Sequence, residues 1–116
     1  MHELSVCQSL LDQAGNIAAN NQATSIEKIF LRVGPLSGVE PELLQSAFPI
    51  ARAGTIAANA ELVIQQMPVQ VRCKTCHAET AAKANRLLCG ECGDWQTELL
   101  SGDELLLERV EMLTEQ

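Results

Sequence analysis

Cys73 and Cys76, followed by Cys89 and Cys92, form two C-x-x-C pairs separated by twelve residues in a chain with only one other cysteine, Cys7. Each pair reaches a metal through a tight turn, the intervening arm lets the two turns face each other, and four thiolates complete the tetrahedral shell that zinc accepts. Such a shell is closed to water and substrate, so the ion would hold the fold rather than perform chemistry. Iron in a rubredoxin-like tetrathiolate satisfies the same spacing, because softness and geometry suit both metals. Two disulfides would require an oxidising compartment, whereas Met1-His2-Glu3-Leu4-Ser5 has neither the basic start nor the apolar run of a signal peptide. The expectation is therefore reduced thiols in the cytoplasm. Cys73-Lys74-Thr75-Cys76-His77 also fits the C-x-x-C-H rule for covalent haem, but that reading leaves Cys89 and Cys92 without a purpose.

The first residues are a second place for metal chemistry. A free α-amine titrates near ~7.7–8.0 and a neutral imidazole is a strong nitrogen donor, so histidine in second position puts two nitrogen ligands within one residue of each other. Nickel(II) and copper(II) favour tetragonal, nitrogen-rich sites, and the backbone nitrogens of His2 and Glu3 can join once the metal displaces their protons. A solvated histidine at a frayed chain end is the competing reading of the same residues.

The formal charge of −7 is unevenly distributed: residues 72–94 carry a balance of +1, leaving −8 for the rest. Zinc ribbons that bind nucleic acid present a basic surface and often stacking aromatics. Here four thiolates add negative charge to the lobe, and Trp95 is the only aromatic residue near it. No nucleic-acid role is expected. No apolar stretch approaches the length of a membrane span either.

These residues need a scaffold, and hydrophobic spacing suggests one. Leu4, Cys7, Leu11, Ala14 and Ala18 recur at helical intervals through residues 3–19, with Asn20-Asn21 as a stop and Cys7 as a small apolar core residue. Ile29, Leu31 and Val33 alternate with Lys28, Phe30 and Arg32, predicting a strand over 26–33. Pro41 opens a second helix to about Ala53, closed by Gly54, with an apolar face of Leu43, Leu44, Ala47, Phe48 and Ala51 and a kink at Pro49. Residues 60–66 and 105–112 read as further strands. The arm from Ala78 to Leu88 shows no core periodicity and is expected to fold only with metal bound. The resulting expectation is an α+β fold: a small sheet of about three strands packed with two helices, residues 1–70 and 101–116 forming the body and residues 71–100 an inserted four-cysteine zinc-ribbon lobe. No Gly-rich phosphate loop is present, and the two histidines, His2 and His77, assemble no nucleophile or acid–base device, so an enzyme is not expected.

Met1-His2-Glu3-Leu4-Ser5-Val6-Cys7, Val33-Gly34-Pro35-Leu36-Ser37-Gly38-Val39-Glu40-Pro41-Glu42, Gly54-Thr55-Ile56-Ala57, the paired C-x-x-C turns and Gly102-Asp103-Glu104-Leu105 together resemble the HypA/HybF family of hydrogenase maturation factors. The resemblance spans the whole chain. It implies a nickel metallochaperone that helps insert Ni(II) into the large subunit of nickel-iron (NiFe) hydrogenase, working with the HypB GTPase, some members also serving urease. It further implies that His2 is the essential nickel ligand, with the Met1 amine and the backbone nitrogens of His2 and Glu3 completing a planar site. Cys73, Cys76, Cys89 and Cys92 would then hold structural zinc. His77 and Pro49 depart from the family pattern, and no metal role is carried onto His77; a solvated loop histidine is the simpler reading, a hydrogen bond to a cysteine sulfur the alternative. An acidic zinc-ribbon adaptor without nickel and a rubredoxin-like electron carrier are the rival functions. A homodimer, through a strand edge or through the lobe, is compatible with the sequence without being favoured by it.

Overall fold

The computed structural model describes residues 3–114. The chain forms two compact units: one holds the residues up to Arg32, Val39–Gln65 and the chain from Leu106 onward, and the other holds Val33–Gly38 and Gln66–Leu105. The α+β class holds, with two helices, a three-stranded sheet and a separate ribbon sheet around the cysteines.

In the first unit, α1 (Glu3–Asn20) buries Cys7, Leu10, Leu11, Ala14 and Ala18, the stripe that the helical spacing requires. Cys7 is fully buried; its Sγ lies 3.6 Å from the Leu44 carbonyl, and desolvation pushes its thiol pKa up, so it acts as a small core residue. The helix ends at the asparagine pair: the Asn21 side-chain amide donates to the Ile17 carbonyl at 2.7 Å, and Gln22 turns the chain with φ +53. Strand β1 (Ala23–Val33) is three residues longer at its start than the alternation predicts. Its phase is regular from Ile29 to Val33, while Ile26 is buried out of step.

Pro41 at the start of α2 (Pro41–Arg52) supplies the fixed φ of a first helical turn and withholds an N–H that would have had no acceptor. Leu44 and Phe48 are buried, and α2 packs against α1. Leu43, expected on the buried face, is 43% exposed, and Ala47 and Ala51 are half-buried, so the stripe is narrower than predicted. The helix runs through Pro49 to Arg52, close to the expected end. Pro49 falls in the last turn, where little helix remains to be disrupted. Gly54, at φ +76, then takes the left-handed conformation that closes the helix. Arg52 reaches over to the Ala60 carbonyl at 2.5 Å and covers the Phe48 ring, while Gln45 donates to the Leu62 carbonyl at 2.8 Å. These bonds set the entry to β2 (Glu61–Gln66). The sheet order is β2-β1-β6, with β6 spanning Leu105–Thr114.

The second unit contains strands that periodicity does not announce. β3 (Gln70–Cys73) is central, flanked antiparallel by β4 (Glu79–Ala81) and β5 (Thr97–Ser101). Arg72 pairs in register with Glu79 on one side and Glu98 on the other, its guanidinium 2.9 Å and 3.8 Å from their carboxylates. At the base of this unit Gly34 and Gly102 cross backbone to backbone. Leu36 N–H donates to the Gly102 carbonyl at 2.7 Å, Gly34 N–H to that of Glu104 at 2.8 Å, and the Glu104 carboxylate receives Gly102 N–H at 2.8 Å. A Cβ on Gly34 would lie 2.0 Å from the Gly102 oxygen.

Two glycine replacements should consequently move stability in opposite directions. Gly34→Ala forces backbone apart and should destabilise by about 3 kcal/mol, the upper end of ordinary overpacking. Gly15→Ala, in the interior of α1 with open space around the added methyl, should stabilise by about 0.5–1 kcal/mol. Urea unfolding of the zinc-loaded protein measures both.

Candidate metal centre

The four cysteines of the spacing argument come together. Their sulfurs all lie within 4.8 Å of one another, and the Cys73–Cys92 and Cys76–Cys89 pairs are each 3.6 Å apart. A regular tetrahedron with zinc–sulfur arms of about 2.3 Å has edges of about 3.8 Å, so the donor set fits zinc without rearrangement. All five cysteines are free thiols, which removes the disulfide reading for this fold.

Each pair sits in a turn of the same construction. Thr75 and Cys76 point their N–H groups at the Cys73 sulfur at 3.3 and 3.4 Å; Glu91 and Cys92 do the same to Cys89, also at 3.3 and 3.4 Å. His77 N–H donates to the Cys73 carbonyl and Gly93 N–H to that of Cys89, both at 3.0 Å. Cys73 and Cys89 in turn donate their own N–H groups to Ala78 and Asp94 at 2.9 Å. The first cysteine of each pair is buried and the second exposed. Backbone N–H donors favour a thiolate over a thiol. The Cys76 amide is the main influence lowering Cys73, and the Cys92 amide brings Cys89 down to about 6. At Cys92 the Asp94 amide acts in the same sense, yet the neighbouring sulfurs of Cys73, Cys76 and Cys89, together with burial, push the thiol up to about 12. Crowded sulfurs that resist carrying charge together are what a divalent cation relieves.

The residue after the second cysteine of each pair is left-handed: φ +77 at Gly93 and +65 at His77. Histidine is among the side chains that tolerate this conformation best after glycine. His77 is exposed and serves the turn through its backbone. No hydrogen bond from its imidazole to a cysteine sulfur occurs among the described contacts.

Sequence reasoning missed the ties between the two turns. The Thr75 hydroxyl donates to one Asp94 carboxylate oxygen at 2.5 Å, and Gln96 N–H donates to the other at 3.1 Å. Thr75, more than Gln96, holds that carboxyl below its usual range. The arm is ordered by Thr80, whose hydroxyl accepts Gly90 N–H at 2.8 Å, and by Thr97, which donates to the Leu87 carbonyl at 2.8 Å. A threonine within a C-x-x-C and an aspartate two residues beyond the other pair were the available signal.

Met1 and His2, the other expected ligands, lie outside the described residues. Glu3, the third, is the first residue of α1 and is buried. No helix among the described residues is long and apolar enough to cross a membrane.

A two-helix α+β unit and a four-cysteine ribbon whose sulfurs fit zinc define a small metal-binding protein. Residues 1–112 match the family described as "Hydrogenase/urease nickel incorporation, metallochaperone, hypA". The chain is 43% identical over 114 residues to the hydrogenase maturation factor HypA of Nitrosospira multiformis, covering 98% of this chain and 99% of that one. Against the protein of the same name from Aquifex aeolicus, identity is 38% over 112 residues, or 97% of each chain. The solution structure of the nickel metallochaperone HypA from Helicobacter pylori superposes with a TM-score of 0.70 at 32% identity, covering 99% of this chain and all of that one. A second HypA solution structure gives 0.74 at 32% identity, covering 99% and 98%. The chain belongs to the HypA family of nickel-incorporation metallochaperones and hydrogenase maturation factors.

Metal analysis of the purified protein should return a single zinc ion per chain, lost in Cys73→Ser and Cys89→Ser. Gly93→Ala, which adds a methyl in open space at positive φ, should cost about 1 kcal/mol, whereas His77→Gly should retain both zinc and stability. Equal effects of these last two replacements would rule out the shared turn geometry.

Proposed function

We propose that this protein captures Ni(II) at its amino terminus and delivers it for hydrogenase maturation. The ligands are the Met1 amine, the His2 imidazole and the backbone nitrogens of His2 and Glu3, while Cys73, Cys76, Cys89 and Cys92 hold structural zinc. One observation supports the nickel end most strongly: α1 begins at Glu3. The first N–H groups of a helix have no carbonyl four residues earlier to bond, so a metal at this end does not compete with the helix ladder. The positive end of the helix dipole also favours a nitrogen that has given up its proton.

This assignment separates two metals by donor chemistry. Thiolates suit zinc in a closed shell, and nitrogen donors in a plane suit nickel. Ligands at a chain end allow a receiving protein to replace them one at a time without unfolding the carrier. The receiver is the large-subunit precursor of NiFe hydrogenase, with the HypB GTPase as working partner, in the cytoplasm. The body, residues 1–70 and 101–116, carries the nickel function, and residues 71–100 form the zinc domain. The role is non-catalytic: binding, holding and handing over.

Protons compete with nickel at the amine, the imidazole and the amides. Each ligand binds the metal in its deprotonated form, so affinity rises with pH through the range where imidazole and amine titrate, about 6.5 to 8. Calorimetric titration with nickel should show binding at pH 8 that weakens by at least about tenfold at pH 6. His2→Ala should abolish it while zinc content is unchanged. Adding one residue before Met1 should be nearly as damaging, since it moves the free amine out of the chelate. Nickel affinity that survives His2→Ala would defeat the assignment.

A further inference from the structure

The ribbon carries positive charge that the rest of its own unit leaves unanswered. Lys28, Arg32, Arg72 and Arg109 each face a glutamate, and Arg52 is held by the Ala60 carbonyl and the Phe48 ring. Lys74, Lys83 and Arg86 are exposed and enter no ion pair among the described residues. Two of these three stand together. Arg86 N–H donates to the Lys83 carbonyl at 3.0 Å, and the two residues pair across their turn as an antiparallel bridge. Both line a hollow of about 380 Å³ whose other walls are Ala81, Ala82, Leu88, Cys89 and Gly90. A strand edge leads into it. In the order β4-β3-β5, β4 is outermost. Ala82 N–H donates to the Val69 carbonyl and Cys73 N–H to that of Ala78. By the alternation of an antiparallel ladder, the backbone groups of residues 78, 80 and 82 therefore turn inward to β3, and those of Glu79 and Ala81 turn outward. Ala81 is thus both a wall of the hollow and the last outward-facing residue of the edge.

We propose that the arm is a docking site for a short, acidic, extended segment of a partner protein, which adds to the outer edge of β4 and sets its carboxylates on Lys83 and Arg86. Strand addition draws affinity from main-chain hydrogen bonds and specificity from the pockets beside them. Each observation fixes one property of the segment. The outward backbone groups of Glu79 and Ala81 require it to be extended, and a three-residue edge requires it to be short. Lys83 and Arg86 require it to be acidic, while Ala81, Ala82 and Leu88 admit an apolar side chain between the charges. The Glu79 carboxylate does not oppose it, being held by Arg72 at 2.9 Å. Outside residues 72–94 the chain carries a formal charge of −8, which repels an acidic segment and confines it to the arm. Nucleic acid fits less well: two cations, with no aromatic side chain among the walls of the hollow, neither track a phosphate backbone nor stack a base. The site lies wholly within the ribbon unit and does not rest on the amino-terminal nickel reading.

Fluorescence anisotropy of the zinc-loaded full chain, with a labelled peptide of alternating aspartate and valine as probe, tests this. The wild type should bind the probe, and an asparagine–valine peptide should not compete for it. Lys83→Glu and Arg86→Glu should each raise the dissociation constant about tenfold, because an attractive pair becomes repulsive. Lys74→Glu makes the same charge change outside the hollow and should leave it within about twofold. A lysine–valine peptide should bind the Lys83→Glu, Arg86→Glu double variant in place of the acidic one. Methylating the backbone nitrogens of the probe should remove binding, as strand addition requires. Unchanged zinc content shows that the variants are folded, and His2→Ala should bind the probe like the wild type, so failure of the docking site and of the nickel site are told apart. A wild type that ignores the probe would overturn the proposal. So would Lys74→Glu as damaging as Lys83→Glu, zinc lost with Lys83→Glu, binding indifferent to backbone methylation, or displacement of the probe by oligothymidylate, which would make this a site for phosphate chains.

Discussion

The ribbon has almost nothing to fold around except its sulfurs. In the unit that holds the cysteines, the buried apolar side chains are Val33, Val69 and Val71, joined by Cys73 and Cys89 themselves. A handful of valines does not offset the conformational entropy of ordering three short strands and two turns. Four thiolates around one divalent ion do, because ion binding and folding are then a single event. The amides that surround Cys73 and Cys89 follow from this requirement: they keep the inner sulfurs in the charged form that the ion demands.

Legibility in the sequence tracks how each element earns its stability. Helix α1 is carried by a long apolar stripe, so its ends were readable to within a residue, and the centre of β1 was readable because alternation there reflects one buried face. Strands β3, β4 and β5 left no such trace. They are three to five residues long, and they are held by register, by Arg72 between two glutamates and by the cysteine turns. The arm from Ala78 to Leu88 looked shapeless for the same reason, its order coming from single threonine hydroxyls and not from burial. The breadth of the α2 face was overread because helical spacing identifies a side of the helix without saying how far its neighbours reach. The four-cysteine cluster was legible because coordination geometry constrains sequence spacing directly. The expected amino-terminal ligands gained weight only from the motifs around them, since two adjacent nitrogen donors at a chain end carry no spacing to interrogate.

The two metal roles impose opposite demands on one short chain. Zinc needs a shell from which nothing leaves during the life of the fold, and cargo nickel needs ligands that surrender in turn. Donor softness separates them, thiolate for zinc and nitrogen for nickel, and the cysteine turns commit their amides to sulfur.

Burial alternates within each C-x-x-C turn, and the exposed sulfurs, Cys76 and Cys92, belong to different turns. A chelator, electrophile or oxidant arriving from solvent thus meets one thiolate from each loop and never both from the same one. Attack would strip the outer half of the shell first and leave Cys73 and Cys89 as an inner pair still grasping the ion. Damage at the surface is in that sense graded, and a reduced, re-closed shell remains accessible until the inner pair is breached.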